Sequence, residues 1–181
     1  LEDAIICRIL GLGRDYLSER NVCTYGGQFD DDLTETVRQF PAIWIALSSK
    51  TPSRTLPGGR WLWDIEFIIL AGATGPDEKS TRQGYTTQAG ETLDIGTYQL
   101  LDDICEAMAH RPVEQMKLVR PGQQTSLYNG RLNGSGISIM ATRWTLVDVD
   151  LDALQDRPDQ DGKILERIDL RQNDDDALRI E

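Results

Sequence analysis

Three stretches of the chain show clear periodicities in apolar and polar residues. The run Trp61-Leu-Trp-Asp-Ile-Glu-Phe-Ile-Ile-Leu70 alternates with period two. Trp61, Trp63, Ile65, Phe67 and Ile69 share one face. Asp64 and Glu66 fall on the other, beside Leu62, Ile68 and Leu70. That is the pattern of a half-buried strand. The run from Gly136 to Asp150 predicts a second and longer strand. Between them, Tyr98, Leu101, Cys105 and Met108 recur at helical spacing, with Leu100 and Ile104 beside them, so residues 96–108 read as a helix. Pro112 lies just beyond as a stop signal. Two long strands with a helix between them predict an α+β fold: a mostly antiparallel sheet with helices packed on one face.

The remaining segments are placed around that frame. Residues 3–18 carry Ile5, Ile6, Ile9, Leu10 and Leu12 on roughly one helical face, weakened by Gly11 and Gly13. Asn21 to Tyr25 suits a short strand. Pro41-Ala-Ile-Trp-Ile-Ala-Leu47 is apolar on both faces, which predicts a central strand buried on both sides. Ser48 to Gly59, with two prolines and two glycines, reads as an exposed loop, making 41–70 a long-looped hairpin. Residues 72–95 read as a second long loop, and loops of that length are commonly functional. Asp94 is the expected N-cap of the helix after it. Residues 113–135 predict a short strand near 116–119 and a turn at Asn129-Gly130. The four tryptophans, Trp44, Trp61, Trp63 and Trp144, all fall in predicted strands, where they serve the sheet core or a subunit interface.

Charge separates the two ends of the chain. The formal total over 181 residues is −11, of which residues 148–181 supply −7 and the rest −4. Leu151 to Glu181 is acidic and poor in aromatics, with too few apolar residues to fold alone. The expected organisation is therefore a domain over 1–150 followed by an acidic C-terminal arm over 151–181. Ile164, Leu165, Ile168, Leu170, Leu178 and Ile180 are the arm's candidate anchors on a partner. An acidic chain does not gain nucleic-acid affinity through counterion release. No apolar run reaches the length of a membrane span, and the acidic opening lacks the basic start of a secretory signal. Three scattered cysteines do not make a disulfide framework and suit a reducing compartment.

Candidate chemistry is sparse. Gly72-Ala-Thr-Gly-Pro-Asp-Glu-Lys-Ser80 imitates a phosphate-binding loop, but Glu78 stands where a glycine should precede the lysine, and Pro76 removes a backbone donor. Asp148-Val-Asp150-Leu-Asp152 imitates a calcium loop, but Ala153 occupies the position of the required glycine. His110, the single histidine, sits at a helix C-terminus with no evident nucleophile. Asp102-Asp103 reads as a solvated helix face. No catalytic residue, metal ligand or cofactor is implied, and the expectation is a protein without enzymatic activity.

Thr81-Arg82-Gln-Gly84, followed by Gly96-Thr-Tyr-Gln-Leu-Leu101, resembles the core signature of the tail terminator, or tail completion, family of Mu-like contractile-tailed phages. The helix opening Glu2-Asp-Ala-Ile, the strand Phe40-Pro-Ala-Ile-Trp-Ile, and the pair running from Ser126-Leu-Tyr128 to Thr145 are similar in order. The resemblance covers about residues 1–150. It implies a structural virion protein, assembled in the host cytoplasm and placed at the tail or neck. Such a protein forms a hexameric ring that caps the tail tube and sheath and offers a docking surface to the head connector. Its partners would be further copies of itself, tube, sheath and neck proteins, with DNA passing through and not specifically bound. Asp30, Asp31 and Asp32 are then candidate acids of the lumen, because an acidic lining repels phosphates. The strand 136–150 and the loop 72–95 are expected to help form subunit contacts. The alternatives are another neck or connector subunit, or a small enzyme using the 72–95 loop.

Overall fold

In a computed structural model of the chain, the described residues are 1–27, 36–37, 39–86, 92–109, 118–132 and 135–151. In chain order they form α1 (Glu2–Leu10), β1 (Val22–Thr24), β2 (Ala42–Thr55), β3 (Trp61–Gly75), α2 (Glu78–Gln83), β4 (Tyr85–Thr86), β5 (Thr92–Asp94), α3 (Thr97–Met108), β6 (Leu118–Leu132) and β7 (Ser135–Asp150). Leu1–Val149 makes one compact unit.

The main sheet has the order β1-β2-β3-β7-β6, and β4 and β5 form a separate small hairpin. β1 runs parallel to β2, whereas β2–β3 and β6–β7 are antiparallel. α1 packs on β1, β2 and α3, and α3 packs on β3 and α2. The architecture is the expected α+β sheet with helices.

Alternation along the strands builds two apolar layers. Ile43, Ile45, Ile65, Phe67 and Ile69 are fully buried, as are Ile5 and Ile9 of α1 and Leu100, Ile104 and Met108 of α3. Trp44 alternates with Ile43 and Ile45, so it points to the opposite face. There it joins Ala42, Leu70 and Ala141, with Phe40, Tyr25, Cys23 and Ile68 against them. Phe40 meets Trp44 edge-on, with ring centroids 5.7 Å apart. The prediction of a strand buried on both sides at 41–47 therefore holds over Ala42–Ile45, whereas Leu47 is exposed.

Several boundaries differ from the periodicity. α1 stops at Leu10 instead of continuing to 18, because Gly11 and Gly13 follow directly. β2 does not end in a loop at Ser48. It continues to Thr55, paired with β3, and the connection shrinks to a tight turn where Leu56 N–H donates to the Arg60 carbonyl at 2.7 Å. The 72–95 segment is not a structureless loop: it holds the end of β3, α2 and the β4–β5 hairpin. Asn129 and Gly130 form no turn. They lie inside β6, opposite Ser138 and Ile137. β7 is an interior strand between β3 and β6. Its backbone has a strand on each side, so the unpaired backbone groups that suggested subunit contacts at 136–150 are not there. Among the described residues the sheet ends at β1 and β6, and the part of β2 that extends beyond β1 has no strand beside it.

Candidate functional site

Two regions concentrate the unusual features: the joint between α2 and α3, and a groove beside α3. The joint contains the residues on which the family resemblance rests. Asp77 opens α2 by accepting from the backbone N–H groups of Lys79 and Ser80, at 2.8 and 2.9 Å. Ser80 Oγ in turn accepts from Asp77 N–H, a reciprocal capping arrangement. Those hydrogen bonds hold the Asp77 carboxyl below its usual pKa. The supposed phosphate-binding loop is thus a capped helix start.

α2 ends at Gly84, whose φ of +76° is a conformation natural to glycine. Gly96, the N-cap of α3, lies against it. A Cβ on Gly96 would fall well inside contact distance of the Gly84 nitrogen and the Arg82 carbonyl oxygen. Gly96, not Asp94, begins the helix, and no side chain caps it. Thr81, nearly fully buried, donates from Oγ1 to the Asp77 carbonyl at 2.6 Å. Thr97 Oγ1 meets Ser138 Oγ at 3.2 Å and so ties the start of α3 to β7. The motif residues serve packing between backbone segments and hold no reactive group.

The groove, of about 930 Å³, is lined by Gly13, Arg14, Asp15, Tyr16, Ile95, Gln99, Asp102, Asp103 and Glu106. Its floor is a network between the loop after α1 and α3. Arg14 Nε donates to Asp103 Oδ1 at 2.9 Å and its Nη2 to Glu106 Oε2 at 2.7 Å. Tyr16 Oη donates to Asp103 Oδ2 at 2.5 Å and accepts from Gln99 Nε2 at 3.1 Å. Burial, then the bond to Asp103, pushes the Tyr16 phenol up to about 12. The bond to Asp103 also raises Arg14 above its ordinary value. With Asp15, Asp102, Asp103 and Glu106 against Arg14, the groove carries a formal −3. Such a surface attracts cations, and the network makes it rigid.

Only half of the reading of Asp102-Asp103 holds. Asp102 is exposed, but Asp103 is 4% exposed and lies among the core-facing residues of α3. The sequence does contain the signal. Asp103 stands three residues after Leu100 and four before Ala107, on the buried stripe. Among the described residues no group of three or more His, Cys, Asp and Glu side chains is placed to hold a metal ion. The candidate lumen acids Asp30, Asp31 and Asp32 lie outside the described residues. So do the arm anchors Ile164, Leu165, Ile168, Leu170, Leu178 and Ile180, and His110.

A family model described as bacteriophage Mu, Gp37, matches residues 1–147. This span takes in every helix and strand described above except the last residues of β7. The chain belongs to the Mu Gp37 family. No curated protein matches it. Membership in the Gp37 family makes this a Mu-like phage protein and supports a structural role. Both the α2–α3 joint and the acidic groove fall inside the Gp37 match, whereas residues 148–181 fall outside it. Among the described residues of this Gp37 chain, no helix is long and apolar enough to cross a membrane.

Proposed function

We propose that the chain is a tail terminator: a non-enzymatic ring protein that caps the finished tail tube and sheath and presents a docking surface to the head connector. The observation that carries this reading is the Mu Gp37 match over 1–147, which includes the joint where the signature residues Arg82, Gly84 and Gly96 meet. The fold supports it in a second way. A sheet with two open edges has surfaces available for neighbours.

Under this reading the protein is a virion component of the tail or neck, active as a hexamer. The acidic 151–181 segment reaches tube, sheath or connector through Ile164, Leu165, Ile168, Leu170, Leu178 and Ile180. Asp30, Asp31 and Asp32 line the opening and repel the passing DNA backbone. The 72–95 segment contributes to contacts between subunits through α2 and the β4–β5 hairpin.

The experiment is electron microscopy of tails assembled with and without the protein. Without it, tubes of uncontrolled length and tails that fail to join heads are expected; with it, defined lengths and a ring at the head-proximal end. Tails of normal length without the protein, still unable to join heads, would replace the terminator reading by that of another neck subunit.

A further inference from the structure

β7 does not finish as a regular strand. Among the described residues, Asp148 is the one non-glycine residue with a positive φ, at +55°. Residues with a side chain adopt that conformation rarely, though Asp more readily than most. The Asp148 N–H donates to the Asp64 side chain, at 3.1 Å from Oδ1, where a regular interior strand would use a neighbouring backbone carbonyl. Burial records the same break. Trp144 and Leu146 are buried and Thr145 and Val147 are only half-buried, but the next buried residue is Val149 and not Asp148. One extra residue moves the alternation along a strand by one position. The corner at Asp148 therefore turns Val149 inward, and the compact unit ends there.

The corner is held from two strands away. β2 carries Ser53 as an extra residue, between the pairs Pro52–Trp63 and Arg54–Leu62. Bulges of this kind re-aim side chains. Ser53 Oγ donates to Asp148 Oδ1 at 2.7 Å, and Arg54 Nη2 reaches Asp148 Oδ2 at 3.0 Å. Both contacts pass over β3, which lies between β2 and β7. Two irregularities on different strands thus meet at one carboxylate. Their hold is limited. The Arg54 side chain is 63% exposed and that of Asp148 35%, and an ion pair so open to solvent is weak. Asp64 also sets a second negative charge beside that of Asp148, against the one cation of Arg54.

We propose that Asp148 is a latch at the root of the 151–181 segment. Closed, it keeps Val149 inside and fixes where the segment begins. Open, residues 148–150 leave β7 and lengthen the segment by about 10 Å, while Ser53 and Arg54 on the outer β2–β3 hairpin come free. Asp148 is the first residue beyond the Mu Gp37 match, so the latch stands where the family's domain ends. A partner that pulls on 151–181 acts on this corner first, whether or not the chain forms a ring.

The test is amide hydrogen exchange of the full chain, read by mass spectrometry at residues 148–150 and compared with α3. Asp148→Ala removes the carboxylate and suits a positive φ poorly, so it should speed exchange at 148–150 by at least about tenfold and leave α3 unchanged. Asp148→Asn keeps an acceptor for Ser53 and tolerates the backbone, so an increase of about threefold is expected. Ser53→Ala/Arg54→Gln changes β2 alone and should still speed exchange at 148–150 about tenfold. Ser48→Ala loses only a bond to Glu66 within the same hairpin and should change nothing at 148–150. Wild-type amides at 148–150 that exchange as fast as an unfolded peptide would mean that no closed latch exists. Unchanged exchange in Asp148→Ala, or in Ser53→Ala/Arg54→Gln, would show that these bonds hold nothing. Equal acceleration in α3, or in the Ser48→Ala control, would make the corner an ordinary part of the domain and overturn the latch.

Discussion

Asp103→Asn should destabilise the protein by about 2 kcal/mol, through the loss of charge from a site that was built around it. The substitution preserves volume and leaves one acceptor. It exchanges the other carboxylate oxygen for an amide that can only donate. Asp103 accepts from Arg14 Nε and Tyr16 Oη, so one of these donors loses its acceptor. Hydrogen bonds to charged groups contribute about 1.5–3 kcal/mol each. The full loss of both is not expected, because the Arg14 side chain is 37% exposed and water can reach it once its partner is neutral. Tyr16→Phe removes only one donor and should cost about 1 kcal/mol. If the two groups act on one another, the double variant should cost about 1 kcal/mol less than the sum of the singles.

The assay is urea unfolding of wild type, both single variants and the double variant, with a check for two-state behaviour. A midpoint shift at constant slope gives each free energy. A cost for Asp103→Asn under about 0.5 kcal/mol, the level typical of open surface substitutions, would refute the burial argument. Additive costs would refute the direct Tyr16–Asp103 bond.

Further expectations concern other sites. Tyr16, with a folded-state value near 12 against an ordinary 10.0, contributes stability that is complete below about pH 10 and is lost as pH rises toward 12; its ionisation in an ultraviolet titration should move to lower pH in Asp103→Asn. Gly96→Ala should destabilise by about 3 kcal/mol or prevent folding, because what blocks the new methyl is backbone and not a movable side chain; wild-type thermal stability in that variant would show the joint to be loose. Cys7, exposed, should be alkylated before Cys23 and Cys105, whose thiols burial pushes up; mass spectrometry after a brief pulse checks the order, and Cys7→Ser should remove the fast phase.

What the sequence disclosed follows from which forces set each element. α3 and β7 were legible because burial selects their apolar positions, and burial leaves a period. The outer part of β2 was not. All of its residues from Leu47 to Thr55 are exposed, so nothing constrains their polarity, and Ser, Thr and Pro52 look like loop. It is a strand because β3 pairs with it, and that pairing is backbone chemistry with little trace in composition. α2 was missed for a related reason. It is six residues long and is fixed by its cap, and the signal lay in Asp77 and Ser80 instead of in a repeat. Asp103 was misassigned by residue type, although its position on α3 marked it as buried. Of the candidate site, the four acids were visible singly. Their convergence was not, because it depends on the loop after α1 crossing α3.

The two regions of interest divide tasks that a sequence signature tends to merge. The signature glycines, Gly84 and Gly96, permit two backbone segments to touch, and that requirement is internal. Substituting them should break the fold without informing on assembly. The acidic groove is different. Asp15 and Asp102 are exposed at its rim, outside the Arg14–Asp103–Tyr16 network. Asp15→Asn/Asp102→Asn should therefore leave a folded chain, with a cost within about 0.5 kcal/mol by urea unfolding. A larger cost would show that the fold, and not only the surface, depends on the groove's outer acids.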